Sequence, residues 1–160
     1  LAAAFYILAL SAALFGQDQP FAATPMGYVQ TLSGACGPDS RVAEGSADSD
    51  LSTRRSRFFC NSAVISFTRI TDGRVMIQFS ERERQSTSIL GFAGQAIGGD
   101  LIQVDAVYLG AEVLVPQEGM CKLFYDDSFQ VTGASCGARI EGGGRVTVPI
   151  VSFETPKRPT

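Results

Sequence analysis

Two groups of side chains in this sequence could do chemistry by type and spacing. One is the set Cys36, Cys60, Cys121 and Cys136, in a chain with no histidine. The other is Arg54-Arg55-Ser56-Arg57, a run of guanidiniums beside a polar stretch of small residues. Cysteines can be nucleophiles, metal ligands or cross-links. A reactive thiol wants a histidine or a C-x-x-C partner, and neither exists here. A four-cysteine zinc site usually comes in close doublets, and these cysteines are scattered. Disulfides remain, which an even count permits in an oxidising compartment. Cys36–Cys60 and Cys121–Cys136 are the expected pairs, because each joins sequence neighbours and the second brackets an expected hairpin. Closing a loop of about 15 residues stabilises by about 3 kcal/mol in the chain-entropy account.

Guanidiniums grip phosphate or carboxylate groups bidentately. Arg54, Arg55 and Arg57 are therefore the candidate binding residues, and anionic lipid head groups are one source of such partners. The competing reading is a solvated stretch neutralised by Glu44, Asp48 and Asp50. Arg82 and Arg84 form a weaker candidate, since they interleave with Glu81 and Glu83.

Catalytic arrangements find little support. Without histidine there is no Ser-His-Asp triad, no Cys-His pair and no histidine-bearing metal site. Lys122 and Lys157 do not sit in an S-x-x-K spacing. Asp126-Asp127 reads as solvated turn residues, and Gln103 with Asp105 as the outward face of a strand. Glycoside hydrolysis needs two opposed carboxylates, and nothing in the sequence points to such a pair. Gly142-Gly143-Gly144 precedes a strand, whereas a phosphate-cradling loop opens a helix. No catalytic residue, metal ligand or cofactor is expected. The formal net charge of −3 argues against nucleic acid as a partner.

The elements that position these groups follow from apolar patterning. Residues 1–15, from Leu1 through Phe15, read LAAAFYILALSAALF, uncharged and apolar. This suits an apolar helix serving as signal peptide or as membrane anchor over 1–16, with Ser11-Ala12-Ala13 as a small-residue cleavage motif. It is short for an anchor, since a spanning helix wants about 20 apolar residues. Any membrane contact would run through Leu1–Phe15. A lipidated Cys36 is disfavoured by Ser33, where an aliphatic residue is wanted. Residues 17–26 read as a linker, 27–154 as the folded domain and 155–160 as a tail.

Within 27–154 the signals are strands. Residues 27–33 are a first strand, and 44–53 a polar loop expected to be mobile. Residues 62–70 and 74–80 flank Thr71-Asp72-Gly73, an Asp-Gly hairpin. A three-residue loop with Gly73 left-handed sets Phe67 opposite Ile77 and Ile65 opposite Phe79, all facing inward. Residues 88–94 and 101–109 are further strands. In the latter, Ile102, Val104, Ala106 and Tyr108 share one face, alternating with Gln103 and Asp105. A short strand over 112–116 precedes two hairpins, about Asp126-Asp127-Ser128 and about the triple glycine. Pro149 lacks a donor, so its strand should be an edge or carry a bulge.

The expected fold is all-β: an antiparallel sandwich or small barrel of about eight strands, disulfide-stapled, behind the N-terminal helix. The expected function is a non-catalytic secreted or envelope β-domain, an accessory binding module in the periplasm or outside the cell. It would be free or a subunit of a membrane complex, and its partner a protein or an anionic envelope component. The alternatives are an inhibitor of an extracellular hydrolase and, more distantly, a hydrolase using carboxylates alone.

Overall fold

The computed structural model describes residues 27–67, 73–81 and 89–156. The expected N-terminal helix, the linker, Thr71-Asp72, the Arg82/Arg84 run and most of the tail lie outside those residues. The strands are β1 Tyr28–Ser33, β2 Ala35–Cys36, β3 Arg41–Ser46, β4 Arg55–Arg57, β5 Ser62–Phe67 and β6 Arg74–Ser80. Then follow β7 Leu90–Gly98, β8 Leu101–Leu109, β9 Glu112–Leu114, β10 Glu118–Tyr125, β11 Val131–Gly142 and β12 Arg145–Glu154. A 3₁₀ turn, Leu51–Thr53, sits between β3 and β4.

The domain is all-β and antiparallel, but twelve strands replace the expected eight or so. The excess lies in β2, β4 and β9, which are two or three residues long and have too little alternation to read as strands. The hydrogen-bonded order is β1-β5-β6-β7-β8-β10-β11-β12-β3-β4, an open path, with β2 on β12 and β9 on β8. The sheet nevertheless curls back on itself. Residues 28–36 pair with β5 through β1 and with β12 through β2. The Phe79 and Phe153 rings, from strands far apart in that order, lie 6.1 Å apart.

The inner face holds one apolar core. Phe79, Phe92, Phe153, Ile65, Ile77, Leu90, Ile102 and Leu123 are fully buried there. Full burial of each such side chain is worth about 1.5–3 kcal/mol. Both expected disulfides are present. Cys121 and Cys136 are direct partners across β10 and β11, inside the core. Cys36–Cys60 ties β2 to the segment leading into β5, with Cα atoms 5.0 Å apart.

Four further expectations are corrected. In the first hairpin Ile65 faces Ile77 and Phe67 faces Val75, two residues from the expected register. A slip of two leaves every side chain on its own face, so the apolar pattern could not distinguish the registers. Ile65, Ile77 and Phe79 are inward as expected, Phe67 is half-buried, and Gly73 has φ 58°. In β8 the register against β7 shifts at Asp105, and beyond it Val107 points into the core in place of Ala106 and Tyr108. Pro149 sits neither at an edge nor at a register shift. β12 lies between β11 and β3, and its ladder with β11 is simply unpaired opposite Val148 and Pro149. Finally, the stretch 44–53 is structured at both ends, by β3 and by the 3₁₀ turn, which Asp50 caps by accepting a hydrogen bond from the Ser52 N–H.

Two side chains complete the ladder where the backbone does not. Between the parts of β12 that pair with β2 and β3, Ser152 meets the fully buried Ser40. The Ser152 N–H donates to the Ser40 Oγ at 3.1 Å, and that hydroxyl donates to the Ser152 carbonyl at 3.3 Å. Beyond the end of β10, the Gln117 amide accepts from the Glu141 N–H at 2.6 Å and donates to its carbonyl at 3.0 Å.

Candidate functional site

β3 and β4 form a two-stranded ribbon on the side of β12 away from β11. Directly opposed residues project from the same face of a sheet. Arg41 opposes Arg57 and Ala43 opposes Arg55, while on β12 Ile150 opposes Arg41 and Val148 opposes Ala43. The register thus gathers Arg41, Arg55 and Arg57 on one face. Like charges opposed in this way repel, and the ribbon carries them at its margin where water screens them.

Arg57 lies 4.7 Å above the ring of Phe59, a phenylalanine 56% exposed. A cation over an exposed ring gains about 0.5–1 kcal/mol and is held in one orientation. Arg54 stands apart from this row. It ends the 3₁₀ turn, donating its N–H to the Leu51 carbonyl, and its stem and Leu51 close over Gly45. A Cβ at Gly45 would come within 2.8 Å of Leu51 and 2.5 Å of the Ser49 hydroxyl. Of the three arginines expected to act together, two do so, and Arg41 and Phe59 complete the group.

Among the described residues, none of Arg41, Arg54, Arg55 and Arg57 forms an ion pair. The ion pairs there are Arg74–Asp105, Lys122–Asp100 and Arg139–Glu141. Arg41 donates to the Asp39 carbonyl at 2.9 Å. Glu44, Asp48 and Asp50 do not neutralise the cluster by contact.

The other candidates are occupied. At the β8 bulge, both Asp105 oxygens accept from Arg74, at 2.7 and 2.8 Å. Those bonds hold the Asp105 carboxyl below its ordinary range and raise the Arg74 guanidinium. Asp126 accepts from the Ser128 and Gln130 N–H groups and builds its own turn. That turn presents Phe129, 69% exposed, at φ 58°. Tyr125 carries a buried hydroxyl with no hydrogen-bond partner, and burial pushes its pKa up to about 12. Among the described residues no group of three or more acidic or cysteine side chains is placed to hold a metal ion.

The arrangement can bind anions through two or three guanidiniums on a margin of the sheet. Arg41 was not legible as part of it, because the pairing with Arg57 spans a stretch that reads as loop. No protein-family model, curated protein or solved structure matches the chain.

Proposed function

We propose that this chain is a secreted or envelope β-domain, barrel-like with its seam at β2, that works as a non-catalytic binding module for an anionic partner. The observation that carries this reading is the face shared by Arg41, Arg55 and Arg57, without a carboxylate partner and with Arg57 set on the exposed Phe59 ring. Cations left unpaired at a margin attract anions over about a Debye length, roughly 8 Å at physiological salt. Each bidentate contact with phosphate or carboxylate then adds direction to that attraction. Two buried or half-buried disulfides suit an oxidising compartment outside the cytoplasm.

The test is charge reversal at all three arginines, with binding to vesicles containing an anionic phospholipid and to a carboxylate-rich peptide, at low and high salt. The native protein should bind one or both, and more weakly as salt rises. The triple variant should lose about tenfold or more while still melting cooperatively. Equal binding by both proteins would sink the proposal.

A further inference from the structure

The same margin carries unpaired backbone as well as charge. The Glu44 N–H donates to the Arg54 carbonyl at 3.0 Å, and the Phe58 N–H to the Ser40 carbonyl at 2.9 Å. In an antiparallel pair the backbone groups of successive residues point alternately to the two sides of the strand. Arg54, Ser56 and Phe58 therefore turn theirs toward β3, and Arg55 and Arg57 turn theirs away from it. β4 ends the sheet, and among the described residues no strand pairs with its outer side. Arg55 and Arg57 thus offer N–H, C=O and guanidinium to one and the same neighbour.

We infer that the outer side of β4 takes an extended acidic peptide segment as an added strand. The inference rests on the anion-binding reading above and specifies its partner. An incoming strand has the same repeat as β4, so every second side chain falls opposite Arg55 and Arg57, about 6.6–6.8 Å apart on both strands. Carboxylates at those positions meet the guanidiniums on the shared face, and Arg41 lies beside Arg57 to take a further one. A phospholipid head group uses only the side chains and leaves the N–H groups of Arg55 and Arg57 to water. An acidic peptide satisfies both sets, which is the mode of strand addition at sheet edges. Charge on an edge strand otherwise serves to repel wrong pairings. Here the same charge excludes basic and neutral strands and admits acidic ones.

The experiment titrates the disulfide-bonded full chain with a short peptide alternating glutamate and valine. Three further probes are its counterpart N-methylated at the amides that would face β4, an alternating lysine–valine peptide, and phosphatidylglycerol vesicles. The glutamate peptide should bind, the N-methylated one about tenfold or more weaker, and the lysine peptide undetectably. An Arg55→Glu/Arg57→Glu variant should lose the glutamate peptide by a similar factor. Because the N-methyl comparison uses the native protein, it stands even if that variant fails to fold. Equal binding of methylated and unmethylated peptides would overturn the added strand while leaving anion binding in place. So would vesicles that bind where the peptide does not. Binding of neither peptide nor vesicles would overturn both.

Discussion

The curled sheet of β5 to β12 and the β3–β4 ribbon hung on its flank are built from the same antiparallel pairing but held by different forces. In the first, cross-strand partners such as Ile65 and Ile77 are both fully buried, and Cys121 and Cys136 add a covalent rung. In the second, partners such as Arg41 and Arg57 are accessible and carry like charge. Its hold comes from β12, from a small apolar contact of Leu51 over Gly45, and from the Ser40 hydroxyl at the junction. One region spends its side chains on stability, and the other leaves them free for a partner.

That contrast can be broken by substitution. Phe79→Ala removes a fully buried ring that meets Phe92 at 6.2 Å and Phe153 at 6.1 Å. It should cost about 3–5 kcal/mol in a urea melt. A cost near 1 kcal/mol would mean that the curled sheet lacks a tight core. Next in size is Ser40→Ala, which leaves the Ser152 N–H and carbonyl without the hydroxyl that serves them. A loss of about 1–3 kcal/mol is expected, together with faster hydrogen exchange of the Ser152 amide. Unchanged exchange would show that the hydroxyl does not hold the junction.

A smaller effect of opposite sign is expected at Tyr125. Its hydroxyl is buried without a partner, so Tyr125→Phe should leave stability level or raise it by up to about 1 kcal/mol. The folded pKa of about 12 lies above the ordinary 10, so the folded state holds that proton more tightly. The associated stability is present below pH 10 and lost as pH rises toward 12. Alkaline melts of the two proteins should diverge only in that window, and identical alkaline profiles would contradict the burial. Smallest of all, Arg55→Glu/Arg57→Glu should move the melting free energy by no more than about 0.5 kcal/mol, because both side chains are exposed and unpaired. A large loss would make the cluster structural and remove it from the list of binding surfaces.

What could be read from the sequence follows the same divide. The bounds of β8, the inward face of the β5–β6 hairpin and both disulfide pairs were legible, since burial imposes alternation and hairpins bring cysteines together. Partners within the hairpin were not, because a two-residue slip costs no change of face. The Asp105 bulge was hidden too. Val107 reverses the alternation there, and the reason is the register shift against β7, where a Cβ on Gly94 would overlap the Gln103 carbonyl. β4 was invisible as a strand, since Arg55-Ser56-Arg57 has no apolar alternation and owes its conformation to β3. The candidate arginines were visible as a run, but Arg41 joins them only through that pairing.

The Cys36–Cys60 bond has a mechanical consequence. Tension drawn on the chain at Gly27 would peel β1 from β5 one rung at a time, from the Tyr28–Phe67 pair toward the Ser33–Ser62 pair. Peeling takes little force, because rungs break singly. It cannot pass Cys36, where the load transfers through sulfur to Cys60 and from there into the start of β5. Under load the domain should therefore yield a short, fixed length and then stop, and a reductant should abolish the stop.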